Sequence, residues 1–251
     1  MVIYGILEKF TNKSIPRYYM NNFFHFMVLN MKKNTDRLDY ISKSLNKFDC
    51  SYTIIEAIDG NNMENNQDVE KIIKPVPRLF GAVFQSIDTK KKWIYDGTIS
   101  KSFPNLNLYG HYGTKGLTLS NLKAFMIASS MKYEWFCILE DDTEMNIDIY
   151  TNILNFIKSD ENKNYDIILL DARDNGWGGT SAMLYNKRII NKLIIDLHPL
   201  SKFSIFSTKF GDENLGNLWD WKLWKYVMFI NKNFTNLPCV TSGSFISTIS
   251  V

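Results

Sequence analysis

Residues 23–60 read FFHFMVLNMKKNTDRLDYISKSLNKFDCSYTIIEAIDG. Phe23 to Leu29 is a continuous, mostly apolar run of the kind found in strands buried on both faces, and it ends at Asn30. Thr35 predicts a helix N-cap with Asp36 in the first turn. Leu38, Ile41, Leu45 and Phe48 then recur at alternating spacings of three and four, which draws one apolar stripe along a helix. Tyr52 to Ala57 reads as a second strand closed by Asp59-Gly60. A strand, helix, strand unit with short links returns the chain parallel to its first strand, so the expected class is α/β.

Downstream of this unit the pattern weakens. Prolines at 75, 77 and 104 and the cluster Tyr109-Gly110-His111-Tyr112-Gly113 predict an irregular insertion at about 61–115, carrying one short helix near Val69 to Ile73. Order returns at Leu119, with Leu122, Phe125, Met126 and Met131 at helical spacing. Trp135 to Leu139 follows as another buried strand. The acidic triplet Glu140-Asp141-Asp142 stands where that strand stops. A helix at about Ile149 to Ile157 leads to the strand Ile167 to Leu170, then to Asp171 and the Gly-rich turn Gly176-Trp177-Gly178-Gly179. A short strand, Ser181 to Tyr185, and a helix around Lys187 to Leu197 come next. Upstream, residues 1–22 have no period and are expected to form an N-terminal extension to a single domain over 23–251.

The 251 residues are 45% hydrophobic, enough for one sizeable core. The 29 basic and 26 acidic residues are spread along the chain and leave a net charge of +3, so no segment reads as a nucleic-acid arm. Lys90-Lys91-Lys92 beside Trp93 reads as a solvated loop. Cys50, Cys137 and Cys239 are far apart and odd in number, which argues against a disulfide framework and against a zinc site of close Cys pairs. No stretch approaches the roughly 18 uncharged apolar residues of a membrane span. The expectation is a soluble cytoplasmic protein, or one held peripherally at a membrane surface, of unknown oligomeric state.

In open α/β sheets ligands collect beyond the carboxyl ends of strands, which is where the triplet falls. In extended backbone Glu140 and Asp142 share a face while Asp141 turns away. Two carboxylates on one face suit Mg²⁺ or Mn²⁺, ions that take one or two protein carboxylates plus substrate phosphate oxygens. Taken alone, three acids after a strand are more often a solvated turn or a helix cap.

Several separate segments, in order, resemble glycosyltransferase family 25, the group containing bacterial lipo-oligosaccharide galactosyltransferases, procollagen galactosyltransferases and homologues in large DNA viruses. Val28-Leu29-Asn30 through Asp36-Arg37 resembles the family opening, and Glu56-Ala57-Ile58-Asp59-Gly60 its next stop. Gly116 to Ala124 looks like the family's "GCxLSHLxA", and Leu139-Glu140-Asp141-Asp142 its "LEDD". Gly179-Thr180 with Ala182 to Tyr185, Asp220-Trp221, and Pro238 to Ile249 resemble the later segments. Asn121 replaces the family His, which exchanges a titratable group for a neutral amide.

The resemblance implies the GT-A architecture, a single Rossmann-like domain with a mostly parallel central sheet flanked by helices. It implies that the triplet plays the part of a DxD motif, with Asp142 on Mn²⁺ or Mg²⁺ and Glu140 sharing the metal or facing the ribose. Asp141 holds the turn or approaches the sugar. Asn30, Arg37, Asp59 and Ser120 are then expected around the nucleotide and its phosphates, although Arg37 also fits a first-turn surface arginine and Asp59 a plain turn. An inverting enzyme needs a base for the acceptor hydroxyl, for which Asp220 is the first choice and Asp212 and Glu213 are alternatives. The implied donor is a UDP-sugar, UDP-galactose ahead of UDP-glucose and UDP-N-acetylglucosamine. The implied acceptor is a saccharide, glycolipid or glycoprotein. A catalytically silent relative that binds UDP-sugars or acts as a scaffold is the alternative. His25, His111 and His198 adjoin no motif Ser or Cys, and neither an EF-hand loop nor a phosphate-binding Gly-Lys-Ser/Thr loop is present.

Overall fold

A computed structural model describes residues 23–48, 50–63, 66–73, 111–171, 179–199, 201, 203 and 219–240. The N-terminal extension, residues 74–110 of the insertion, the run Lys90 to Trp93, Gly176 to Gly178, Asp212, Glu213 and the chain beyond Val240 lie outside the described residues.

The deciding stretch forms β1 (Phe24–Asn30), α1 (Thr35–Leu45) and β2 (Tyr52–Glu56). β1 and β2 pair in parallel, with Val28 opposite Ile54. A 3₁₀ turn (Gly60–Asn62) and α2 (Gln67–Ile73) follow. Then come α3 (His111–Ser130), β3 (Trp135–Glu140), α4 (Ile147–Lys158), a second 3₁₀ turn (Asp160–Asn164) and β4 (Ile167–Asp171). β5 (Ala182–Asn186), α5 (Lys187–Asp196), α6 (Trp219–Phe229) and β6 (Phe234–Val240) complete the described elements.

The strands form one six-stranded sheet in the order β2-β1-β3-β5-β4-β6. β5 runs against both of its neighbours, while the β1–β2, β1–β3 and β4–β6 ladders are parallel. The expected α/β sheet flanked by helices is therefore the one observed.

Alternation along β1 sorts its side chains between two cores. Phe24, Phe26 and Val28 join Ile41 and Leu45 of α1 and Ile149 and Ile153 of α4 on one face. Met27 and Leu29 join α2, α3, α5 and α6 through Val69, Leu122, Leu193 and Leu223 on the other. Both faces are covered, which is why the strands read as apolar runs rather than alternating ones. His25 is accommodated inside this arrangement because Ser51 Oγ and Thr53 Oγ1 lie 2.9 and 2.8 Å from its ring nitrogens and Tyr133 stacks on it at 4.5 Å. Burial lowers its pKa to about 4.

Three expectations are corrected. The cap of α1 is Asn34 rather than Thr35, and its side chain makes no capping bond. The amide is used instead on Asp141, 3.0 Å away. α3 begins at His111, eight residues before the apolar period resumes at Leu119. Gly113 and Gly116 weaken the helical signal there, but packing requires the second of them. A Cβ on Gly116 would stand 2.5 Å from Ile58 O and 2.9 Å from Gly60 N, so α3 lies directly on the backbone after β2. The sequence reading assigns no strand at β6, within which Pro238 sits. As the outermost of the described strands, beside β4, it tolerates a residue without an N–H.

Candidate active site at the carboxyl ends of the strands

β1, β2, β3 and β4 end on one edge of the sheet, where they present Asn30, Glu56, Glu140 and Asp171. The antiparallel β5 starts on that edge, so Thr180 and Ser181 lie between β3 and β4.

β3 stops at Glu140, and Asp141 and Asp142 occupy the turn beyond it. Strand alternation does not extend to them. Asp141 is buried, and its Oδ2 accepts from Asn30 Nδ2 at 2.8 Å and from Asn34 Nδ2 at 3.0 Å. Asn30 Nδ2 also donates to Asn34 O at 3.1 Å. Arg37 Nη1 lies 3.1 Å from Asp141 Oδ1 and 3.3 Å from Asp142 Oδ2. Arg37 therefore bridges two members of the triplet, and Asp141 fastens the β1–α1 loop to the end of β3. The Asp142 side chain keeps 21% of its surface exposed and the Arg37 side chain 32%, so a cation and a carboxylate meet at the mouth of this edge.

The other side of the turn is sewn to β5. Ser181 O accepts from Glu140 N at 2.7 Å and from Thr143 Oγ1 at 2.9 Å. Ser181 Oγ donates to the buried Asp171 at 2.6 Å. Thr180 Oγ1 donates to Asp220 Oδ1. Through the neighbours Thr180 and Ser181, Asp220 in the first turn of α6 reaches the same edge as Glu140. Tyr185 lies in the field of Asp220, and burial first, then that charge, pushes its phenol well above the ordinary value. Among the described residues neither its hydroxyl nor the buried Trp219 Nε1 has a hydrogen-bond partner.

The remaining expected residues surround the β2 end. Asp59 caps the 3₁₀ turn by accepting from Asn61 N at 2.9 Å, the main reason its carboxyl titrates below the usual range. Ser120 is buried, accepts from Ile58 N at 2.8 Å and donates to Gly116 O at 2.7 Å, so its hydroxyl holds the loop against α3. Asn121, at the family His position, is buried and donates to Leu117 O at 3.0 Å within its own helix.

Among the described residues no three His, Cys, Asp or Glu side chains group as a metal site. Glu140 and Asp142 offer two carboxylates, the number Mg²⁺ or Mn²⁺ takes when substrate phosphates complete its shell. On that donor chemistry the residues fit such an ion. Asn34, Thr180, Ser181 and Asp171 carry no assignment in the sequence reading. The antiparallel insertion of β5 next to β3 brings Thr180 and Ser181 to the edge on which β4 ends at Asp171.

The profile of glycosyltransferase family 25 (LPS biosynthesis protein) matches residues 23–192. The chain belongs to glycosyltransferase family 25. The family 25 match covers Asn30, Arg37, Asp59, Ser120 and Glu140 to Asp142, and it ends before Asp212, Glu213 and Asp220. Among solved structures the chain is similar to a glycosyltransferase involved in the glycosylation of the major capsid of PBCV-1, with 9% identity, a TM-score of 0.41, and coverage of 86% of this chain and 81% of that one. It is also similar to the glycosyltransferase GlyE of Streptococcus pneumoniae TIGR4, with 11% identity and a TM-score of 0.43, over 86% of this chain and 45% of that one. No curated protein matches the chain. No described helix is long and apolar enough to cross a membrane.

Proposed function

We propose that this family 25 chain is an inverting hexosyltransferase that moves a sugar, galactose first, from a UDP-sugar to a hydroxyl of a saccharide, glycolipid or glycoprotein. The observation that carries the reading is Arg37 held against Asp141 and Asp142 at the carboxyl end of β3. A guanidinium at that mouth is suited to phosphate oxygens, and it is oriented before any ligand arrives. Asp142 and Glu140 would hold Mn²⁺ or Mg²⁺, which supplies charge neutralisation for a UDP leaving group.

Asp220 is the proposed base. It carries one hydrogen bond from Thr180 and stands on the same edge, where an acceptor hydroxyl has to be deprotonated as it attacks the anomeric carbon. The new bond forms between that oxygen and the anomeric carbon while the bond to UDP breaks, and the proton passes to the carboxylate. Asp59 and Asn30 would line the nucleotide side. The test is release of UDP from each donor with Mn²⁺ present, together with calorimetry of UDP binding. Failure of every donor and absence of UDP binding would remove this reading.

A second reading follows from Asn121. Its amide is turned onto Leu117 O, so the position supplies neither a titratable group nor an exposed one. A binding or scaffold protein of the same fold would bind UDP with metal, lose that binding in Asp142→Ala, and transfer sugar to no acceptor.

A further inference from the structure

Six large apolar side chains are exposed among the described residues, and three of them are consecutive. Met228, Phe229 and Ile230 are 50%, 73% and 48% exposed, at the last turn of α6 and just past it. Single exposed apolar residues are ordinary, whereas a contiguous group marks a contact surface.

The turn that presents them is well tied. Ile230 N and Asn231 N both donate to Tyr226 O, at 2.9 and 3.0 Å, and Asn233 N donates to Asn231 Oδ1 at 2.9 Å. Asn231 Nδ2 and Asn233 Nδ2 reach Asp166 Oδ2 at 3.0 and 3.1 Å. The three apolar groups are thus held outward by a pinned turn.

Cations accompany them. Lys225 lies one helical turn before Phe229 on the same face of α6, and Lys232 is exposed two residues after Ile230. Arg188 is ion-paired to the same Asp166 that anchors the turn, with 48% of its side chain exposed. Asp166 itself is buried. No Asp or Glu follows Asp220 anywhere in the sequence, so the segment carrying the tip is purely cationic.

Area argues against a stable protein partner. Such interfaces bury about 800 Å² on each side, whereas three partly exposed side chains offer a few hundred Å². A small convex apolar tip flanked by cations has the chemistry of an anionic lipid surface, with acyl chains for the apolar groups and headgroup phosphates for the ammonium and guanidinium ends.

We propose that Met228, Phe229 and Ile230 insert into the interfacial layer of an anionic membrane, with Lys225, Lys232 and Arg188 meeting the headgroups. The tip lies at the amino end of β4, where Asp166 N and Ile167 N donate to Asn233 O. The candidate active site lies at the opposite end of that strand, roughly 15 Å away at about 3.3 Å per residue. A docked molecule therefore turns its site away from the bilayer, toward acceptors that extend past the headgroups or come from solution. The docking surface is independent of the reaction proposed above.

The test is sedimentation of the full chain with phosphatidylcholine vesicles, with and without phosphatidylglycerol. The wild-type chain should pellet with the anionic vesicles only, and added salt should weaken binding. Phe229→Ser combined with Ile230→Ser should weaken it by about tenfold or more, with the circular dichroism spectrum and melting curve unchanged. Lys232→Glu should weaken it and flatten the salt dependence. A wild-type chain that stays in solution with both vesicles overturns the proposal, as does equal binding by the double variant. Self-association by light scattering that the double variant loses, without vesicle binding, assigns the tip to a second copy and also overturns it.

Discussion

Arg37 Nη1 sits 3.1 Å from Asp141 Oδ1 and 3.3 Å from Asp142 Oδ2, so one nitrogen joins a buried carboxylate to a partly exposed one. The two acids have different work. Asp141 satisfies two amides and half of a guanidinium inside the protein, whereas Asp142 faces the mouth. Asp141→Ala should lower unfolding free energy by about 2–4 kcal/mol, because Asn30 and Arg37 lose a buried acceptor. Asp142→Ala should cost at most about 1 kcal/mol, as expected for a partly solvated pair. Activity should divide the other way per unit of folded protein, with Asp142→Ala losing metal-dependent UDP release. Urea melts and UDP assays on both variants check this. Wild-type turnover by Asp142→Ala would remove Asp142 from the reaction.

Gly116→Ala and Gly113→Ala form a paired prediction on one helix. An exposed helical Gly→Ala change gains up to about 1 kcal/mol, and nothing lies within 4 Å of a Cβ on Gly113. On Gly116 the same methyl meets Ile58 O at 2.5 Å, a backbone atom with no rotamer to change. Gly113→Ala should therefore stabilise slightly, while Gly116→Ala should destabilise by about 1–3 kcal/mol. It should also displace the Asp59 turn and weaken nucleotide binding. Thermal melts read the opposite signs.

The parts of this fold that are legible in the sequence are those in which local pattern and tertiary packing agree. Phe24 to Asn30, Ile41 and Leu45, and Trp135 to Leu139 bury where their periods predict. The misses have tertiary causes. Asn34 looks like a neighbour of a Thr cap until Asp141, more than a hundred positions away, takes its amide. Gly116 looks like a helix breaker until Ile58 and Gly60 require the space. The triplet is visible as an acidic strand end, but its division of labour is not, because that depends on Arg37 and on where β3 stops. Thr180 and Ser181 become site neighbours only through an antiparallel strand whose direction no local pattern records.

Two histidines set an acid limit on stability. Burial lowers His25 to about 4. His198 is lowered to about 4 mainly by burial, assisted by Lys222 and opposed by its bond to Ile72 O. Unfolded, both titrate near 6.5. Between those values the unfolded chain binds protons that the folded chain does not, so stability is complete above about pH 6.5 and falls as pH drops toward 4. At about 1.4 kcal/mol per pKa unit, each contributes on the order of 3 kcal/mol to that loss. Urea midpoints from pH 7 to 4 should fall more steeply for wild type than for His25→Gln. Parallel curves would mean that His25 is not held neutral by the fold.

Asp220 can be tested through the residue that touches it. If its carboxylate takes the acceptor's proton, Asp220→Asn should lower kcat by about 10²–10⁴, with KM for the donor nearly unchanged because no donor contact is lost. Thr180→Val is the finer probe. Thr180 Oγ1 donates to Asp220 Oδ1 and so fixes the orientation of that carboxylate. Removing it frees the carboxylate to turn away from the acceptor, so kcat should fall while KM for the donor stays near the wild-type value. A role of Thr180 in packing alone would lower the melting temperature and leave kcat per folded molecule unchanged. Should Asp220→Asn keep full kcat, the base lies elsewhere, and Asp212 and Glu213 become the residues to replace next.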